Sequence, residues 1–151
     1  CDMAQIVTQA KGLLKRDLVK NQVVLDVQFA PDMPRVQADS VLIEQVVINL
    51  IRNACDAMQG ISGPRRIQVS GGISRQPGFV KITVSDSGPG LSGQTIEKLC
   101  APFFTSKAEG MGMGLAICRS IVELHYGALD VDDSALGGAA FSFTLPVAED
   151  A

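Results

Sequence analysis

The sequence is poor in residues that build metal centres and has no excess of positive charge. Its one histidine and four cysteines offer no C-x-x-C pair, since the nearest cysteines, Cys100 and Cys118, are 18 residues apart. This spacing argues against a structural zinc site. Lysine and arginine number 13 against 16 acidic residues, and the net charge of −3 provides no general basic surface for nucleic acid.

Long apolar runs and targeting segments are also missing. No uninterrupted apolar run reaches the length that spans a membrane, and no signal peptide is present. We therefore expect a cytoplasmic domain with reduced thiols and no direct membrane contact, even if a parent protein is membrane-anchored. The chain begins at Cys1 inside an expected helix without an initiator methionine, which indicates a piece of a longer protein.

The composition is that of one folded domain. With 151 residues, 46% of them hydrophobic and 19% charged, the chain is long enough to bury a sizeable core, and we expect a single domain over residues 1–151. The sequence has no internal repeat, low-complexity segment or interdomain linker.

Hydrophobic periodicity predicts an α/β sandwich. A first helix over about residues 3–20 would place Leu13, Leu14 and Leu18 on its apolar side. Strands are expected at about residues 23–29, 35–37, 66–73, 79–86, 128–132 and 139–145, and further helices at about 40–59, 92–100 and 112–125. Because hairpin-connected strands alternate with helices, we expect a mixed, mostly antiparallel sheet of about five strands, covered on one face by about three helices.

A glycine-rich stretch, F-F-T-S-K-A-E-G-M-G-M-G-L-A-I, passes from a loop into a helix-forming segment. Gly110, Gly112 and Gly114 are spaced two apart, and glycine lets a phosphate approach the main chain closely. The following helix would direct its unpaired N-terminal amides at an anion in the loop. Flexible connectors use the same pattern, and the Walker sequence G-x-x-x-x-G-K-[ST] is absent, so the common glycine-rich nucleotide folds are disfavoured.

The long helix in the middle of the chain carries two asparagines on its polar side. Asn49 and Asn53 are four residues apart, one helical turn from each other, with Arg52 and Asp56 nearby. Asparagine is a mediocre helix former, so the pair needs a reason. A solvated polar stripe is one explanation. The other is an amide oxygen for Mg²⁺ already bound to a triphosphate, because a neutral ligand adds no repulsion against the phosphates.

The run V-S-D-S-G-P-G-L is the third informative stretch, in which a strand ends at Asp86 and enters a D-x-G-x-G turn. Aspartate and glycine dominate ordinary strand-ending turns, which gives one explanation. A carboxylate there can also accept the exocyclic amino proton of adenine, whereas guanine presents an oxygen at that place. One acid could then select ATP over GTP.

The order of these motifs is more specific than any one of them. N-L-I-R-N-A, S-D-S-G-P-G-L, A-P-F-F-T-S-K, G-M-G-M-G-L-A-I and the closing G-G-A-A-F-S-F-T-L-P together resemble the catalytic and ATP-binding domain of bacterial sensor histidine kinases. That family belongs to the group shared with DNA gyrase, the mismatch-repair ATPases and the large heat-shock chaperones. The resemblance covers nearly the whole chain. It implies a Bergerat-type fold that binds ATP and Mg²⁺.

The resemblance also implies an activity and partners. The γ-phosphoryl group of ATP would pass to a histidine on a dimerisation domain that lies upstream in the parent chain, with a response regulator as an indirect partner. Asn53 would ligate Mg²⁺, Asn49 would be a second polar contact near the metal or phosphates, and Asp86 would read adenine. Lys107 would be the best-placed cation for the β- and γ-phosphates, followed by Arg52.

Further nucleotide contacts are implied in two places. The first glycine motif would let the base approach the backbone, and the second would form a lid over the phosphates. The implied positions are Gly88, Gly90, Leu91, Thr105, Gly110, Gly112, Gly114 and Leu115.

Two features depart from the family pattern. Asp56 stands three positions after Asn53, where many members carry a basic residue, so phosphate contact falls more heavily on Lys107 and Arg52. The lid, about residues 105–111, is also short. Together with the R-N-A-C-D-A run, it looks most like the oxygen-sensing nitrogen-fixation sensor kinases.

Phosphoryl transfer is favoured over hydrolysis. Asn49 occupies the position where gyrase-like relatives carry a water-activating glutamate, and an amide cannot act as a general base. His125, near the end of the last expected helix, suits a helix-end partner better than a phosphoacceptor, so the chain should bind Mg-ATP without labelling itself. Two alternatives stay open: a serine kinase of the anti-sigma-factor type, which shares this fold, and a nucleotide-binding module without transfer activity.

Overall fold

Five strands form one mixed sheet. The structure, a computed structural model, describes residues 1–60, 63–90, 111–134 and 136–148, with the backbone alone for 111–113. The strands are β1 (Val23–Phe29), β2 (Arg65–Ile73), β3 (Phe79–Asp86), β4 (Leu129–Asp133) and β5 (Ala139–Pro146). They lie in the order β1-β2-β3-β5-β4. β1 pairs with β2 in parallel, and the other neighbours are antiparallel.

One face of this sheet is buried and forms one side of the hydrophobic core. Every second residue of β5 is buried, as expected for a strand with one covered face. The register places Val84 of β3 beside Phe141 of β5, so the buried side chains continue from strand to strand. Asp86 is two residues beyond Val84 and therefore lies on the same face, in register with Ile67 of β2. A carboxylate is thus placed at the end of an apolar surface.

Four helices occur in the described residues: α1 (Met3–Leu13), α2 (Lys15–Lys20), α3 (Ser40–Ala57) and α4 (Met111–Leu124). α3 begins after Asp39, whose Oδ1 accepts hydrogen bonds from the main-chain N–H groups of Val41 and Leu42. Its apolar side is fully buried, and both α1 and α4 pack against it. α3 is therefore the central helix of the layer that covers the sheet.

The N-terminal helix differs from the prediction of one helix over about residues 3–20. α1 ends at Leu13, and α2 starts at Lys15, because the backbone of Leu14 leaves the helical range at φ −97° and ψ 2°. Leu14 takes the core position at this turn and is buried, whereas Leu13 is 65% exposed. The prediction that Leu13 lies on the apolar side was therefore wrong.

The strand expected at residues 35–37 was also wrong, since it is reduced to a single bridge between Val36 and Val147. Val36 donates its N–H to the carbonyl of Cys1, and Gln37 donates to Pro146. The main chain is thus held by two separate segments and extends no ladder. The other five predicted strands are confirmed to within one residue at each end. The helix predicted for residues 92–100 lies outside the described residues.

Candidate functional site

Asn53 carries an unpaired oxygen on the partly buried side of α3. Its Oδ1 is buried and has no hydrogen-bond partner among the described residues. One turn earlier, by contrast, Oδ1 of Asn49 accepts a hydrogen bond from Nε2 of Gln45 at 3.1 Å. A buried polar atom without a partner costs about 1–3 kcal/mol. The Asn53 oxygen is therefore suited to a ligand that supplies positive charge or a proton.

This donor set suits a metal that arrives with anionic ligands of its own. In residues 1–60, 63–90, 111–134 and 136–148, no group of three or more His, Cys, Asp or Glu side chains could hold a metal ion. Mg²⁺ usually keeps several waters and substrate phosphates beside one or two protein oxygens. The single neutral oxygen of Asn53 therefore fits Mg²⁺ bound to a nucleoside triphosphate.

Arg52 is turned toward α2. Its Nε lies 3.9 Å from Oδ2 of Asp17, with both side chains at least half exposed. The two residues line a groove between α2 and α3 together with Cys55 and Asp56. An ion pair this exposed contributes little to stability, so it does not fix the guanidinium in place. The phosphate contact of Arg52 stays a prediction.

Asp86 is the buried acid of the described residues, with 2% of its surface exposed. Its Oδ1 accepts hydrogen bonds from the N–H of Gly88 at 2.9 Å and of Ala139 at 3.1 Å. No hydrogen bond within the described part of the chain reaches Oδ2. Burial raises the pKa of the carboxyl, and the two amide donors partly offset that rise. Oδ1 is thus held in place by two hydrogen bonds, and Oδ2 is left to accept a hydrogen bond from a ligand.

The turn after Asp86 rests against the turn between β4 and β5. Gly90 has φ +90°, which glycine adopts without strain, and a Cβ there would lie 3.8 Å from the carbonyl oxygen of Gly137. Gly138 donates its N–H to the carbonyl of Asp86 at 3.1 Å. The loop is therefore braced by a second backbone. Whether Gly88 and Gly90 contact a base stays a prediction.

Ser87 connects this turn to the end of α3. Its Oγ lies 3.4 Å from Sδ of Met58 and 3.1 Å from the carbonyl oxygen of Pro64, and it accepts the N–H of Arg66 at 2.9 Å. Met58 is fully buried and follows Asn53 by five residues. The helix with the unpaired oxygen and the turn with the fixed carboxylate thus share one packed contact.

The second glycine motif is described only in part. Gly112 and Gly114 lie in the first turn of α4, which begins at Met111, within one residue of the predicted start. Leu115 follows and is buried in the core. Four predicted nucleotide contacts lie outside the described residues: Leu91, Thr105, Lys107 and Gly110. Their roles stay predictions.

His125 holds two helix ends together. Its Nε2 accepts the main-chain N–H of Asp39 at 3.1 Å, and its Nδ1 lies 2.8 Å from the carbonyl oxygen of Ile121. A neutral ring with its proton on Nδ1 satisfies both contacts at once. Both ring nitrogens are thus engaged, which agrees with the structural role indicated by the sequence.

Two further observations concern the cysteine thiols and whether a helix could span a membrane. Cys1, Cys55 and Cys118 form no disulfide bond within the described residues. Burial, followed by the charges of Asp56 and Asp17, raises the pKa of Cys55 to about 11. Across the described residues, no helix combines the length and apolar character needed to cross a membrane.

Gly138 and Met58 were not singled out from the sequence. Gly138 entered the sequence analysis only as part of the closing G-G-A-A-F-S-F-T-L-P run, and neither residue was given a role in nucleotide binding. The signal for Gly138 is the adjacent pair of glycines: Gly137, with φ +101°, supplies the left-handed turn position, and the second glycine has no positive φ to explain it. Nothing in the sequence distinguishes Met58 from its apolar neighbours.

Comparison with known proteins identifies relatives of the whole chain. A family model described as "Histidine kinase-, DNA gyrase B-, and HSP90-like ATPase" matches residues 38–149. The C4-dicarboxylate transport sensor protein DctS of Rhodobacter capsulatus is 41% identical over 150 residues, which cover 99% of this chain and 22% of DctS. The sensor protein FixL of Bradyrhizobium diazoefficiens is 37% identical, with coverage of 98% and 29%. The chain thus spans about a quarter of the length of these relatives.

Solved structures agree with this result. The nucleotide-free catalytic domain of histidine kinase ThkA has a TM-score of 0.81 at 27% identity, covering 97% of this chain and 93% of that one. ThkA in complex with the response regulator protein TrrA gives 0.78 at 26% identity, with coverage of 98% and 41%. The predicted fold is confirmed. Since DctS is more similar than FixL, assignment to the nitrogen-fixation sensors stays a prediction.

Proposed function

Because this chain belongs to the histidine kinase-, DNA gyrase B- and HSP90-like ATPase family, we propose that it binds Mg-ATP and transfers the γ-phosphoryl group to a histidine on a separate dimerisation domain of the same sensor kinase. The observation that carries this proposal is the buried Oδ1 of Asn53, which has no hydrogen-bond partner in the part of the chain that the structure describes. Family membership supports binding of ATP, and the Oδ1 atom of Asn53 supports binding of the Mg²⁺ ion that accompanies ATP.

The metal and phosphates would lie along the polar side of α3. Asn53 would hold Mg²⁺ through Oδ1, with Asn49 beside it. The ion supplies neutralisation of the charge that develops on the transferred phosphoryl group. Lys107 and the amides near Gly110, Gly112 and Gly114 would close on the β- and γ-phosphates from the lid. Positioning and charge neutralisation together provide most of the rate enhancement in phosphoryl transfer.

The base would be read at the end of β3. Asp86 is fixed through Oδ1 by two main-chain N–H groups, and Oδ2 is left to accept the exocyclic amino proton of adenine. Guanine would place its carbonyl oxygen against that carboxylate, and the two oxygens would repel each other. This polarity supports selection of ATP over GTP.

Transfer is favoured over hydrolysis because no carboxylate stands one turn before Asn53. Asn49 occupies that position, and its amide hydrogen-bonds to Gln45. An amide cannot take a proton from water. The carboxylate of Asp56 follows Asn53 in the sequence instead of preceding it, and it lines the groove between α2 and α3 beside Arg52.

The acceptor histidine would lie in another domain. His125 has both ring nitrogens engaged in holding helix ends. The chain spans about a quarter of its sensor relatives, which leaves room in a parent protein for an upstream dimerisation domain. The complex of ThkA with TrrA supports a response regulator as the indirect partner. Cys55 and Cys118 are buried and form no disulfide among the described residues, which supports a location in the reducing cytoplasm.

The test is phosphate transfer from γ-³²P-ATP with Mg²⁺. We expect no label on the 151-residue chain alone, and acid-labile phosphohistidine on a dimerisation domain of the parent protein when that domain is added. Stoichiometric label on the chain alone would contradict the proposal. Acid-stable phosphoserine on a partner would favour the serine kinase, and binding without any transfer would favour the nucleotide-binding module.

A further inference from the structure

We propose that Gly138 is a positioning residue for nucleotide selection, because its missing side chain leaves the space that the carboxylate of Asp86 occupies. The inference rests on the proposed function, in which Asp86 reads adenine. Gly138 precedes β5 and lies in the closing G-G-A-A-F-S-F-T-L-P run, but it is not among the nucleotide contacts that the resemblance implies.

The space that a side chain of residue 138 would need is already filled by atoms of Asp86 and Gly88. A Cβ built on Gly138 would overlap Oδ1 of Asp86, and it would lie 2.5 Å from the main-chain nitrogen of Gly88 and 2.6 Å from the carbonyl oxygen of Asp86. Two of these three atoms are backbone and cannot turn away as a flexible side chain would. Even alanine would therefore force the carboxylate, the turn or β5 to move.

The same backbone also supplies the bonds that orient the carboxylate. Gly138 donates its N–H to the carbonyl oxygen of Asp86 at 3.1 Å, and the next residue, Ala139, donates to Oδ1 at 3.1 Å. The third donor is the N–H of Gly88, which would lie against the new Cβ. One added methyl group would thus disturb all three hydrogen bonds around Asp86.

Gly137 provides a matched control in the same turn. It has φ +101°, so alanine there strains the backbone, but a Cβ would meet no atom within 4 Å. Gly137→Ala therefore reports on turn strain alone, whereas Gly138→Ala reports on displacement of Asp86 without that strain. Gly72 of β2 is a second control, because its Cβ would also meet no atom within 4 Å and its φ is not positive.

The experiment measures binding of three Mg²⁺-nucleotides to the 151-residue chain: ATP, GTP, and the triphosphate of purine riboside, which lacks the 6-amino group. For Gly138→Ala we expect ATP to bind about tenfold or more weakly, as for loss of one hydrogen bond to a charged group. Binding of purine riboside triphosphate should change little, so that the preference for ATP disappears. Gly137→Ala and Gly72→Ala should keep the wild-type preference.

Two results would overturn the inference. One is an unchanged preference for ATP in Gly138→Ala, and the other is an equal loss for all three nucleotides, which would indicate a purely structural role. If circular dichroism shows that Gly138→Ala is unfolded, Gly88→Ala decides by the same two criteria, since its Cβ would approach Oδ1 of Asp86 to 3.1 Å. Failure of the proposed function is separable, because wild type would then show no preference for ATP or Asp86→Asn would retain it.

Discussion

The ring of His125 accepts a hydrogen bond at Nε2 from the main-chain N–H of Asp39, 86 residues earlier in the sequence. Since Asp39 caps α3 and His125 follows α4, this bond joins the helix that carries Asn53 to the helix that carries Gly112 and Gly114. The second ring nitrogen contacts the carbonyl of Ile121. The only histidine of the chain is thus part of the scaffold.

We therefore expect His125→Ala to lower the free energy of unfolding by about 1–3 kcal/mol, because two main-chain groups lose a partner. Urea denaturation measures this change. Ser120→Ala, on the same helix, is the control and should cost much less. The variant should still transfer phosphate within the full-length parent protein, and loss of all transfer in a folded His125→Ala protein would contradict the scaffold role.

Tyr126 occupies a backbone position that favours glycine. The N–H of Gly127 bonds to the carbonyl of Val122, and that of Tyr126 to Glu123, which together form a Schellman helix end with Tyr126 in the left-handed conformation at φ 67°. Tyr126→Gly should raise the free energy of unfolding by about 0.5–1 kcal/mol, because relief of strain exceeds the added entropy of the unfolded chain.

Urea denaturation of three proteins checks this prediction. Tyr126→Ala is the matched control, since it removes the largely exposed side chain and keeps the strain. Equal stability of the glycine and alanine variants would contradict the prediction, because relief of strain would then not exceed the added entropy of the unfolded chain.

Ionisation of Asp86 should favour ATP binding and disfavour stability of the fold. Burial raises the pKa of this carboxyl in the folded state, so its contribution to stability is fully present below the ordinary carboxyl pKa and is lost as pH rises through the raised value. Adenine reading needs the ionised form, so ATP affinity should fall as pH drops through that same raised value. Binding titrations at a series of pH values measure this fall.

Asp86→Asn separates the two effects. At neutral pH its free energy of unfolding should equal or exceed that of wild type, and the difference should vanish in acid, where wild-type Asp86 is neutral. A variant less stable than wild type at neutral pH, with no change on acidification, would show that the ionised carboxylate stabilises the fold.

The unpaired oxygen of Asn53 should also cost stability. Asn53→Ala removes it and improves helix propensity, whereas Asn49→Ala gains the propensity but loses a satisfied hydrogen bond to Gln45. We therefore expect Asn53→Ala to be more stable than Asn49→Ala by about 1 kcal/mol or more. Thermal or urea denaturation without nucleotide measures the difference, and the reverse order would mean that Oδ1 of Asn53 is not an orphan.

The sequence predicted the sheet well because much of each strand alternates between apolar and polar residues, as in F-S-F-T-L of β5. It was less successful where tertiary contacts decide. Leu13 and Leu14 both suit the apolar side of a helix, and only tertiary packing determines that Leu14 is the buried one. The extended residues around Val36 look like a strand, but their hydrogen bonds go to Cys1 and Pro146.

The candidate site follows the same rule. Asn53 and Asp86 stand in local motifs and were predicted from the sequence. Gly138 lies 52 residues after Asp86, and its importance depends on the close approach of two chain segments that no local pattern encodes. The groove at α2 is similar, since only the fold brings Asp17 beside Arg52.

Titration of the 151-residue chain with ATP and GTP, with and without Mg²⁺, tests the assignment of Asn53 and Asp86 most directly. The three proteins to compare are wild type, Asn53→Ala and Asp86→Asn. Wild type should prefer ATP and bind it more tightly with Mg²⁺, Asn53→Ala should lose the dependence on Mg²⁺, and Asp86→Asn should lose the preference for ATP. Unchanged binding in both variants would contradict the assignment of the site.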